Sequence, residues 1–146
     1  MAIHYLLILN RQGKTRLAKW FTRSLNEKQR QATLERVYRL VSTRGLKDQS
    51  NFVEFQQGKL VYRRYAGLYF IMLIDYEDNE LSLLEALHFL VEILDSHFDK
   101  VCELDLVFNF HQLYVIVDEI FLGGETHEML KARVLQRIEH LSAISS

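Results

Sequence analysis

The sequence predicts an α+β domain with its elements in the order ββαβββααα, and three observations lead there. Five segments rich in β-branched and aromatic residues are separated by short turns that contain glycine or asparagine. Segments with apolar residues three and four positions apart interrupt those strands once and follow them three times. The chain has 146 residues, 49% hydrophobic and 25% charged, with no proline. That is one domain, 1-146, large enough to bury roughly 70% of the surface of its unfolded chain.

Taken in order, Ile3 to Leu9 reads as a buried strand, Asn10-Arg11-Gln12-Gly13 as a hairpin turn and Lys14 to Phe21 as the returning strand. In that strand Thr15, Leu17 and Lys19 alternate with Arg16, Ala18 and Trp20. Ser24 and Glu27 form a capping box for a first amphipathic helix over about residues 25 to 43, carried by Leu34, Val37, Tyr38 and Val41 and stopped at Gly45. Asn51 to Phe55, Lys59 to Tyr65 and Leu68 to Asp75 follow as three antiparallel strands, divided by Gln57-Gly58 and Ala66-Gly67. After the polar turn Glu77-Asp78-Asn79, Leu84, Leu87, Val91, Leu94 and Phe98 stack on one face of a second helix. Leu106, Phe110, Leu113, Val117 and Ile120 repeat the spacing. Val107, Tyr114, Ile116 and Phe121 make the other faces apolar, as in a helix buried nearly all round, and Gly123-Gly124 ends it. Thr126 caps a last helix with the single stripe Leu130, Val134, Ile138 and Leu141.

Composition excludes several classes of function. The longest apolar runs, Tyr5 to Leu9 and Leu68 to Ile74, are far shorter than the ~20 residues of a membrane-spanning helix. The N-terminus lacks the pattern of a secretory signal, and Cys102 is the one cysteine, which points to a cytosolic, reducing setting. Net charge is −1, but residues 1 to 64 hold 14 of the 18 Lys and Arg and four of the 19 acids, leaving +10 against −11 in the remainder. Such a split suits an anionic partner, an acidic docking surface or attraction between the two halves.

Candidate chemistry is thin. Gly13-Lys14-Thr15 resembles the end of a phosphate loop, but the other glycine of that motif would fall at Ile8, and a strand follows where a helix is required. Glu85 and His88, with Glu92 a turn beyond, make half of a carboxylate-bridged metal site and read as a solvated helix face. Cys102, between Val101 and Glu103, reads as a buried structural thiol, because an acidic neighbour disfavours the thiolate. His4, His127 and His140 lack ligand spacing. The basic residues are spread over a hairpin, a helix and a strand, where Arg63 and Arg64 face opposite ways, so no single nucleic-acid surface forms. The residues imply no enzyme, no cofactor, no metal and no nucleic acid.

Four blocks carry a resemblance along the whole chain: Asn10-Arg11-Gln12-Gly13-Lys14-Thr15-Arg16-Leu17-Ala18-Lys19-Trp20, Asn51-Phe52-Val53-Glu54-Phe55, Val61 to Phe70 and Val101 to Phe110. In this order they resemble the sigma, or small, subunits of heterotetrameric clathrin adaptor complexes. The first and third blocks look most like the plasma-membrane type, while Gly123-Gly124-Glu125 is closer to the Golgi and endosomal type.

The resemblance implies a longin-like fold, a five-stranded antiparallel sheet with helices on both faces. It also implies partners: two large adaptor subunits and one medium subunit, with clathrin and membrane reached through the complex at the cytosolic face of the plasma membrane. Its job would be to hold cargo tails bearing an acidic dileucine signal, Glu/Asp-x-x-x-Leu-Leu/Ile. Carried over by position, the leucine pockets fall on Ala66, Leu68, Val91, Val101 and Leu106, and the cation for the acidic residue on Arg16. The position of a further polar contact is usually a small polar residue and here is Lys100. Alternative readings are the Golgi and endosomal sigma subunit, or a longin-like regulatory module binding a small GTPase or SNARE, for which Arg16 and Val91 have no role.

Overall fold

The computed structural model describes residues 3–21, 25–43, 50–56, 58–77 and 79–122. Two strands open it, β1 (Ile3–Asn10) and β2 (Thr15–Trp20), then helix α1 (Glu27–Thr43), three strands β3 (Ser50–Phe55), β4 (Gly58–Tyr65) and β5 (Leu68–Asp75), and three helices α2 (Glu80–Phe98), α3 (Glu103–Phe108) and α4 (Phe110–Leu122). All strand pairs are antiparallel and the sheet order is β2-β1-β5-β4-β3. Met1–Leu84 and Glu85–Ser146 form two compact units.

In the first unit, α1 closes one face of the sheet. Tyr5, Leu7 and Leu9 of β1, Leu60 and Tyr62 of β4 and Tyr69, Ile71 and Leu73 of β5 alternate onto that face and pack with Val37 and Val41. Their neighbours Leu6, Ile8, Val61, Phe70, Met72 and Ile74 point the opposite way and are fully buried as well. Continuous apolar runs such as Leu68 to Ile74 are the signature of strands covered on both faces. The buried Tyr5 hydroxyl, which burial pushes above the ordinary tyrosine range, packs its ring 5.0 Å from Trp20.

Local chemistry sets the ends of the elements. Asn26 and Gln29 cap α1 reciprocally, each side-chain oxygen accepting the other's backbone N–H at 2.8–2.9 Å. Thus the box stands at Asn26 and Gln29, two residues beyond the expected Ser24 and Glu27; Ser24 and Gly45 lie outside the described residues. Asn79 Oδ1 accepts from Leu81 N at 3.0 Å and starts α2. The third expected helix is divided at Asn109, so that α3 and α4 stand where one was read, and the expected helix from Thr126 lies outside the described residues. Its first part is also not buried all round: Val107 is 39% exposed and Phe110 49%.

Candidate functional site

The β1–β2 turn is built around Asn10. Its side-chain oxygen accepts the N–H of Gln12 at 2.9 Å and of Lys14 at 2.8 Å, while Asn10 N donates to Lys14 O. Tyr38 of α1 braces the turn from above: its hydroxyl donates to Arg11 O at 2.6 Å, and a β-carbon on Gly13 would sit 2.8 Å from its ring. Gly13 also has φ +85°, so both backbone and space require glycine. Gly13-Lys14-Thr15 is therefore a turn leading into a strand, as its spacing predicts.

Just beyond the turn, the strict alternation expected for β2 fails. Leu17 pairs with Ile8 and Thr15 with Leu9, which leaves Arg16 as the extra residue of a β-bulge. Bulges re-aim side chains, and nothing in the composition of a strand announces one. Arg16 is half-buried and already engaged in an interaction with the protein.

The Ala66-Gly67 turn between β4 and β5 lies at the same end of the sheet. Asn10 is the register partner of Leu68, and Leu9 of Tyr69, so the two turns project side by side from adjoining strands. Ala66 and Gly67 have φ +54° and +76°, the successive left-handed residues of a tight hairpin turn. Ala66 is exposed, whereas Leu68 is 1% exposed and points away from α1 with Phe70 and Met72. The structure thus brings Arg16, Ala66 and Leu68 to one end of the first unit.

The remaining predicted residues belong to the second unit. Val91, in the middle of α2, is 2% exposed; Val101, between α2 and α3, is 2% exposed; Leu106 of α3 is fully buried. Asp95, one turn after Val91 on α2, accepts Val101 N–H at 3.0 Å, and Asp95 O accepts Lys100 N–H at 3.0 Å, which folds the link back on the helix end. Asp99 and Lys100 have φ +53° and +73°, and Lys100 is exposed.

Cys102 is exposed, which corrects the expectation of a buried thiol. It is the residue that precedes α3, where its N–H donates to Asp105 Oδ2 at 2.9 Å, and it is Val101 beside it that is buried. His88 and Glu92 make an exposed i,i+4 pair at 3.1 Å on α2. Several cations of the basic half are laid over aromatic rings: Arg30 over Trp20, Arg63 over Tyr65 and Arg64 over Tyr69, at 5.3–5.7 Å. Arg63 and Arg64 thus use different rings, as the strand period requires. A groove of about 580 Å³ between α1 and β3, lined by Arg36, Arg39, Leu40 and Phe55 among others, contains none of the predicted site residues.

Sequence reasoning missed one residue at the turn end. Arg11 reaches across to the β4–β5 turn, so that a β-carbon on Gly67 would meet its Nε at 3.3 Å. Only the pairing of β1 with β5 brings residues 11 and 67 together, and no local pattern in the chain signals it.

Residues 2–145 match the family model described as clathrin adaptor complex small chain. The AP-2 complex subunit sigma of Gibberella zeae is 55% identical over 142 residues, 97% of this chain and 99% of that protein. The protein of the same name from Saccharomyces cerevisiae is 48% identical, with 99% of each chain covered. The AP-1 complex subunit sigma-2 of Dictyostelium discoideum is 48% identical over 94% of this chain and 88% of its own. Among structures, a chain of a homology model of the full-length AP-3 complex in a stretched open conformation superposes with a TM-score of 0.79 at 31% identity, covering 98% of this chain and 95% of that one.

Proposed function

The chain belongs to the clathrin adaptor complex small chain family, and from that premise we propose that it is the sigma subunit of a plasma-membrane adaptor that binds acidic dileucine signals in cargo tails. Family members are structural trafficking subunits, and this chain is one of them, not an enzyme. Assembly with two large subunits and a medium subunit, recruitment to the cytosolic face of the plasma membrane and behaviour as one domain are parts of the same proposal. The AP-2 sigma relatives range from 48% to 56% identity and the AP-1 relative stands at 48%, which favours the plasma-membrane type.

What supports a tail-binding role is the shared location of Arg16 and Leu68 at one end of the sheet, on strands separated by β1. Two strand spacings amount to roughly 10 Å. Four residues of an extended tail span roughly 13 Å, so an acid on Arg16 leaves the leucines near Leu68. In this reading Ala66, Leu68, Val91, Val101 and Leu106 take the leucine side chains, and Lys100 offers a polar contact. Burying two leucines contributes roughly 3 to 6 kcal/mol and an Arg–carboxylate pair at the protein surface about 1, against several for ordering the tail. Single tails bind weakly, and capture relies on adaptor and cargo sharing one membrane.

The test is binding of a Glu-x-x-x-Leu-Leu peptide to the reconstituted heterotetramer. Val91→Asp abolishes binding while the complex remains assembled, because it puts an unpaired charge among apolar side chains; undiminished binding removes the leucine assignment. Arg16→Ser weakens a tail with the acidic residue about two- to five-fold and spares one without it. Equal loss for both tails assigns Arg16 to packing of the bulge.

A further inference from the structure

We propose that Arg11 is a second carboxylate-reading residue, which selects tails carrying an acid at one of the x positions of Glu-x-x-x-Leu-Leu; this rests on the dileucine reading above. Three observations carry it. The backbone of Arg11 is fixed, since its carbonyl accepts the Tyr38 hydroxyl at 2.6 Å and the amides of Gln12 and Lys14, which follow it in the turn, are tied to Asn10 Oδ1. Its guanidinium is seated, with Nε 3.3 Å and Cζ 3.9 Å from the point where a Gly67 β-carbon would stand. Among the described residues that guanidinium enters no hydrogen bond or ion pair, and Arg11 is exposed, so its donors are open to a ligand.

Position along the sheet then selects the part of the tail that Arg11 meets. Arg16 lies on β2 and Leu68 on β5, and Arg11 follows the end of β1, the strand between them. A tail whose acid is on Arg16 and whose leucines are near Leu68 crosses the end of β1 with its x residues. Arg11 also reaches toward Gly67, on the leucine side of that path. Its planar fork suits a carboxylate held by two parallel N–H donors. Gly67 is part of the device, because a β-carbon there would press on the Arg11 Nε at 3.3 Å and would be strained at φ +76°.

The experiment walks a single glutamate through the three x positions of a Glu-Ser-Ser-Ser-Leu-Leu peptide and measures affinity for the reconstituted heterotetramer by calorimetry or fluorescence anisotropy at low salt. In the unmodified complex one of the three glutamate peptides binds about two- to five-fold more tightly than the all-serine parent. Arg11→Gln removes that gain and leaves the parent's affinity unchanged; Arg16→Ser leaves the gain in place. Raising the salt to 0.5 M erases it, as befits an exposed pair. A gain at none of the three positions, or one that survives in Arg11→Gln, overturns the proposal. Equal weakening of every peptide by Arg11→Gln also overturns it, and assigns the residue to packing of the Gly67 turn. If the gain depends on Arg11 while replacing both leucines by alanine changes nothing, Arg11 stands as a carboxylate site and the dileucine reading falls. Absence of binding by any peptide overturns both.

Discussion

Two regions of this chain solve opposite problems. At the turn end of the sheet, polar groups are tied locally: Asn10 takes the amides of Gln12 and Lys14, Tyr38 holds the Arg11 carbonyl, and Gly13 admits the Tyr38 ring. What this end leaves to solvent is charge. At the junction of α3 and α4 the backbone is tied in a similar way, with Asn109 donating to Asp105 O from both its amide and its side chain at 3.0 Å. What this second region leaves to solvent is apolar: Leu104 is 63% exposed and Phe108 78%, while Leu106 between them is fully buried. Equal care over hydrogen bonds therefore says nothing about what a surface is for. Isolated charges are normal on a monomer, whereas clustered exposed side chains of this size mark surfaces that other proteins cover. That agrees with a chain whose family works within complexes.

Unfolding in urea separates the two regions. The largest effect is expected within α3, where Leu106→Ala should lose about 2–5 kcal/mol of stability, because the deleted atoms leave a cavity in a fully buried position. Gly13→Ala should follow at about 2–4 kcal/mol, from a β-carbon forced against the Tyr38 ring at φ +85°. Phe108→Ser should change stability by less than about 0.5 kcal/mol despite removing more apolar surface than Leu106→Ala. A cost for Phe108→Ser comparable with that for Leu106→Ala would mean that the aromatic ring is covered in the free subunit, and the contrast between the two regions would vanish.

Much of the fold was legible because its signals are local. Strand composition, helped by the turns at Asn10 to Gly13 and Ala66-Gly67, places all five strands, and the spacing of Leu84 to Phe98 places α2. The split of α3 from α4 was missed because Leu106 and Phe110 continue the apolar period straight through Asn109. Periodicity records which residues are apolar, not whether the backbone stays helical between them. Exposure of Val107, Phe108 and Phe110 escaped for the same reason, since an apolar face reads alike whether the chain or a partner covers it. At the candidate site, Arg16 was found through resemblance, but its bulge depends on pairing with β1, and the placement of Arg11 over Gly67 depends on pairing of β1 with β5. Non-local register of this kind has no signature in either strand alone.

The end of α2 bears on how this subunit would be engineered. Helices commonly close with glycine in a left-handed conformation, yet Asp99 and Lys100 occupy that region in succession, at φ +53° and +73°. Each residue forgoes the relief that glycine would bring, roughly 1 kcal/mol. A designer seeking a sturdier subunit for reconstitution has two openings here, and they are not equivalent. Glycine at 99 relaxes the helix end while Asp95 goes on holding Lys100 N–H and Val101 N–H. Glycine at 100 relaxes it too but deletes the one lysine in the link, so position 99 is the place to gain robustness without erasing a cation.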